Sequence, residues 1–232
     1  MEESAMADNR QLLMITGVVG AIAAILVGMG EFLLHFDALG RYSAEAGYDF
    51  MLGIPDSRLT IGHFIGVLGT PLYVVGCWHI YLMLKPANKT WAGIASILGA
   101  YGFMVGAVWI GSRSSIASLV QPADASTHIQ TLMNLYVLRY ESLLTVIRVT
   151  TLILSLIFIG LALTGKTHYP RWMATLNPIQ LIVVSFIIFA LSPEIGKYLM
   201  PIALNVAFFI FFAASTWYAS QLDFEQLKGN TK

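Results

Sequence analysis

"LLMITGVVGAIAAILVGMGEFLLHF", residues 12–36, is almost without polar side chains until Glu31 and His35, which stand one helical turn apart near its end. A helix needs roughly 20 apolar residues to cross about 30 Å of hydrocarbon, and the run from Leu12 to Leu34 is long enough. It is also longer than a usual signal core. The leading "MEESAMADNR" is net acidic, so the stretch reads as a retained helix, despite an Ala-x-Ala match at Ala44–Ala46.

The rest of the chain repeats the pattern. At 57% hydrophobic and 11% charged residues, with a mean hydropathy of +0.72, the composition excludes an ordinary soluble domain. Basic and acidic residues balance at 13 each, leaving no electrostatic footprint for nucleic acid. Cys77 is the single cysteine, so neither an internal disulfide nor a Cys-based zinc motif is available. Apolar runs near 11–36, 60–84, 90–119, 143–165, 172–192 and 198–220 predict an all-α, polytopic bundle of six transmembrane helices in one domain. The fourth helix extends outward to about Thr127, capped by Asp124 or Ser126.

Arg10, Lys85, Lys89, Lys166, Arg171, Lys228 and Lys232 fall on the side of the N-terminus, against Arg41, Arg58 and Lys197 on the other. The positive-inside tendency therefore places both termini in the cytoplasm. Residues 37–59 form a long outer connection in which Tyr48, Phe50, Met51 and Leu52 mix with charges, a candidate lid.

Counting about 1.5 Å per residue from the outer ends puts Glu31, His35, His63, Arg113 and Arg148 in one outer layer, with Arg139 and Glu141 just above. Gly17, Ala21, Ala24 and Gly28 lie below Glu31 and His35 on one face of the first span. Gly62, Gly66, Gly69 and Gly76 mark the second span, and Gly99, Gly102 and Gly106 lie below Arg113 on the third. Small residues let membrane helices approach closely, so these faces are expected to meet and their charged tops to converge. The fifth and sixth spans read as a supporting layer, with Asn205 isolated below.

Intramembrane ionisable groups point to a site. Glu31, His35 and His63 can ligate a zinc-like divalent ion, with His128 as a fourth ligand, or act as catalytic acid and base. Arg113, Arg139 and Arg148, oriented by Glu31 and Glu141 and flanked by Asn134 and Tyr136, suit an anion or the polar head of an amphiphile. Membrane lipids and a small polar or amphiphilic ligand are the expected partners, with small-anion transport an alternative. Two further readings use the same residues: internal pairing of Glu31 with Arg148 or Arg113, and haem ligation by His63 and His79. His79 and His168 read more simply as interface histidines. No reaction follows from these residues.

"GEFLLHF" at 30–36 together with "HIYLMLKPANKTWAGIASILGAYGFMVGA" at 79–107 resembles bacterial six-helix membrane proteins classed as a domain of unknown function. The resemblance covers about the first half of the chain and implies six helices in a bacterial cytoplasmic membrane. Alkaline-ceramidase-type membrane hydrolases also hold zinc through intramembrane histidines, but they have seven spans and a terminal HxxxH pair that this chain lacks.

Overall fold

The computed structural model describes residues 2–42, 47–121 and 127–222. Ala44–Ala46, the proposed caps Asp124 and Ser126, and Lys228 and Lys232 lie outside them. Among the described residues the chain is all helical: α1 Glu2–His35, α2 Asp56–Gly69, α3 Leu72–Leu84, α4 Lys89–Val120, α5 Thr127–Leu163, α6 Pro178–Leu191, α7 Pro193–Leu199 and α8 Ala203–Ser220, with short 3-10 turns at Asp49–Met51, Arg171–Leu176 and Met200–Ile202. Five stretches are long and apolar enough to cross a membrane: Asp8–His35, Asp56–Leu84, Lys89–Val120, His128–Leu163 and Pro193–Ser220. The protein is a helical membrane protein.

Prolines account for the departures from six uninterrupted spans. The second is broken at Pro71, which has no amide to donate; Thr70 ends α2 by bonding back to the Gly66 carbonyl, its hydroxyl at 2.7 Å. The expected span at 172–192 becomes a 3-10 turn followed by α6, which Asn177 caps by accepting from the Gln180 amide at 3.2 Å. With 14 residues, α6 is about 21 Å long, short of the hydrocarbon thickness. Pro193 and Pro201 divide the last span into α7 and α8.

Helix α1 lies between α2–α3 on one side and α8 on the other, and α4 joins the bundle through α2 and α3 and packs along α5. The crossing of α1 and α2 is a backbone contact: a Cβ on Gly30 would lie 2.5 Å from the Gly66 nitrogen and 2.8 Å from the Gly62 carbonyl oxygen. On α1 the small residues divide between two neighbours. Gly30 meets α2, whereas Gly17, Gly20 and Gly28 face Thr216, Phe212 and Asn205 of α8.

The expectation that the last spans merely support the others is corrected here. Phe208, Phe211 and Phe212 of α8 are all buried in the core. Tyr73, stacked on Phe103 at 3.8 Å between centroids, packs edge-on against Phe208. An α8 so close to α1 can place polar groups inside the bundle.

Candidate functional site

Three helices bring one polar group each to the half of the bundle nearer the end of α1, the outer half of the expected topology. The Asn205 amide on α8 donates to Glu31 Oε2 on α1, and the Tyr73 hydroxyl on α3 donates to Asn205 Oδ1 at 2.7 Å. All three side chains are buried. Gly28 allows the approach, since a Cβ there would sit 3.2 Å from the Asn205 Cβ. Among the described residues the second Glu31 oxygen has no hydrogen-bond partner.

Glu31, Tyr73 and Asn205 form part of the wall of a cavity of about 400 Å³, completed by apolar residues of α4, α5, α6 and α8 and by Thr70, Trp109 and Thr151. Its lining carries two charged side chains, Glu31 and Arg148. They do not pair. Arg148 is exposed and has no ion-pair or hydrogen-bond partner among the described residues. Facing glycines set its depth: Gly102 meets Thr150 and Gly106 meets Ile147, so Arg148 stands within the bundle's span, about 22 Å along α5 from Leu163.

Above the cavity, Arg113 is fully buried and donates to Glu141 Oε1 at 2.5 Å. Its guanidinium lies 4.8 Å from the Trp109 ring and 5.4 Å from that of Tyr48, a cation–π sandwich. Arg113 Nε and Trp109 Nε1 have no partner among the described residues. The outer connection closes over this group. Tyr48 donates to Glu141 at 2.7 Å, and burial, then that bond, push its hydroxyl pKa up to about 12. Phe50 abuts the His35 ring, and Met51 is wholly buried. Gln121 clamps the turn by donating to the Met51 carbonyl at 2.8 Å and accepting from the Gly53 amide at 3.0 Å.

The start of the connection is tied separately. Asp37 accepts from Arg41 Nε at 2.8 Å and from two backbone amides, which hold its carboxyl below the usual range. Arg58 donates to the carbonyls of Phe32 and Phe36 at the end of α1, where a cation suits the helix dipole.

Other expected site residues are elsewhere. His35 is buried beside Trp109, 5.5 Å between rings, one turn above Glu31. His63 turns toward α4, its Nδ1 3.3 Å from the Ser114 hydroxyl. His128, Asn134 and Arg139 are exposed on α5, and Tyr136 packs against Tyr140; none of these lines the cavity. Glu31, His35, His63 and His128 do not assemble as ligands, for among the described residues no three His, Cys, Asp or Glu side chains come close enough to hold a metal ion. The reason is rotational. Glu31 faces α8 while His63 faces α4, so a shared layer does not give a shared centre.

His79 requires a second correction. It is not at an interface but fully buried, with Nδ1 3.2 Å from the Thr16 hydroxyl and Nε2 2.6 Å from that of Ser215. Ser215 lies 3.0 Å from the Tyr169 hydroxyl. With both ring nitrogens engaged, His79 has none left for haem iron. Asn205 and Tyr73 were not among the expected site residues. The available signal was Asn205 itself, a lone amide in an apolar span, which requires an interhelical partner.

Residues 6–221 match the sequence model of a family described as a family of unknown function (DUF6796), and the chain belongs to that family. The match spans nearly the whole chain, beyond the first half on which the resemblance rested. No curated protein and no solved structure matches.

Proposed function

We propose that this protein binds an amphiphilic, lipid-like ligand, its tail in the cavity between α1, α3, α4, α5, α6 and α8 and its polar end at the polar side chains of the cavity wall. The observation that carries the reading is the cavity itself. Its lining is apolar apart from a few converging polar groups, one of them a buried carboxylate with an oxygen still unengaged, the usual composition of a ligand site. At about 400 Å³ it is at the small end of such sites and suits one chain better than a whole two-chain lipid.

The ligand approaches from the outer side of a membrane the chain crosses six times, with both termini cytoplasmic. Supporting this, the Arg10 guanidinium reaches the Ser220 carbonyl, bringing the start of α1 to the end of α8, while at the other end Phe36 stacks on Tyr198. The segment from Tyr169, beside Ser215, to Tyr198 therefore connects opposite ends of the bundle, with α6 as its main part. The 47–54 turn, held by Glu141 and Gln121, acts as the lid.

Thermal unfolding of the detergent-purified chain with added long-chain amphiphiles tests this. The wild type is expected to gain several degrees at saturation. Val27→Phe, which fills the cavity beside Glu31, should lose that gain. An absence of stabilisation by any amphiphile, whatever its headgroup, would refute the reading.

A further inference from the structure

We infer that the ligand's head is anionic, a carboxylate or a phosphate, and that Arg148 holds it; the inference rests on the binding function proposed above. The balance of hydrogen-bonding groups on the cavity wall points there. Glu31 already receives the Asn205 amide, and the buried Arg113 is paired with Glu141. Arg148 has no such neighbour: its guanidinium, with five donors, meets neither a carboxylate nor a carbonyl among the described residues.

One other unengaged hydrogen-bonding side chain shares the lining: that of Thr151, which, though buried, forms no hydrogen bond with a described residue. Donors thus outnumber acceptors, and a ligand that completes the site must bring acceptors.

Position strengthens the assignment. A guanidinium at this depth is costly unless it faces a partner or water, and Arg148 is exposed while also lining the cavity, so it stands at an opening. Across the cavity from it, α6 meets α5 only sparsely. Arg148 sits about one turn deeper than Leu144 on the same wall. An acyl chain can fill the apolar space beside it while the head stays at the guanidinium, which pairs in bidentate fashion with carboxylate or phosphate.

The test compares palmitate, a single-chain lysophosphatidate and neutral monopalmitoylglycerol as ligands of the full chain in non-ionic detergent, read by thermal unfolding across a titration. The wild type should bind at least one anionic amphiphile about tenfold or more tightly than the neutral one, and the two anions separate carboxylate from phosphate recognition. Arg148→Gln should abolish that preference, with a cooperative unfolding transition in the absence of ligand reporting intact folding; Arg148→Lys should restore part of it. Equal affinity of the wild type for neutral and anionic amphiphiles, or an anion preference that survives in Arg148→Gln, would overturn the assignment. Silence toward all three would instead remove the binding function on which it rests.

Discussion

Helices α1, α3 and α8 are tied together twice, by Thr16, His79 and Ser215 in the inner half and by Glu31, Tyr73 and Asn205 in the outer half. The helices are the same, yet the two ties differ in what surrounds them. In the inner one, Thr16 turns its hydroxyl back to the Leu12 carbonyl at 2.8 Å, and both nitrogens of His79 are engaged. Tyr169 covers Ser215, and Phe158 packs edge-on and Phe211 tilted against Tyr169. In the outer one a carboxylate oxygen is left over and a cavity adjoins it. A buried polar layer with every group satisfied fixes helix register; one with groups to spare, next to space, can do the same and also meet a ligand.

The largest expected effect comes from opening the inner tie. His79→Ala removes the side chain that joins the Thr16 and Ser215 hydroxyls and creates a void, together costing on the order of 3–5 kcal/mol. The folded yield in detergent and the unfolding temperature should drop sharply. In whatever fraction folds, amphiphile binding should persist, because His79 does not line the cavity. A His79→Ala protein as stable as the wild type would show that the inner tie is not the structural member of the pair.

A smaller effect separates the two ends by pH. His168, in the turn beyond α5, is buried, and that burial, with Lys85 nearby, pushes its pKa down to about 4 from an ordinary 6.5. Between those values the unfolded chain binds a proton that the folded chain refuses, so stability falls as the pH drops from about 6.5 to about 4. Asp37, at the outer end, also has a lowered pKa. Its contribution is intact above the ordinary 3.8 and is lost only at more acidic pH. Unfolding temperatures from pH 7 to pH 4 should therefore decline, and His168→Gln should make the decline shallower while Asp37→Asn leaves its slope in this range unchanged. A decline that persists undiminished in His168→Gln would reassign it to another group.

These differences bear on what the sequence could disclose. Hydropathy alone finds α1, α4 and α5, because length and apolar content decide whether a helix spans. Helix packing through glycine was legible too, as Gly62 and Gly66 show, although the residue they meet on α1 is Gly30, outside the marked stripe. Depth was legible in the same way, which is why Glu31 and Arg148 were singled out. Rotation and long-range pairing were not. Nothing local says that Glu31 turns to α8 and finds Asn205, that Arg113 chooses Glu141, or that His63 turns away toward Ser114. Pro193 stands between the fifth and sixth expected spans, and Pro71 and Pro201 inside expected spans, but whether the chain continues as one helix past each is settled by tertiary packing.

The smallest effect tests whether the outer half has space of its own. Gly102 and Gly106 lie one turn apart on α4, and both line the cavity. A methyl group at Gly102 would collide with the Thr150 side chain, whereas one at Gly106 meets nothing nearer than Ile147 Cδ1 at 3.8 Å, an ordinary contact. Gly106→Ala should stabilise the protein by about 0.5–1 kcal/mol, since alanine loses less backbone entropy than glycine in a helix interior. Its methyl group also takes up room that a ligand would fill. Stability should rise slightly and the gain from added amphiphile should shrink, two changes of opposite sign from a single methyl. Gly102→Ala should lower stability instead. If Gly106→Ala raised stability with amphiphile binding untouched, the ligand would not reach that wall, and the outer tie would be as closed in practice as the inner one.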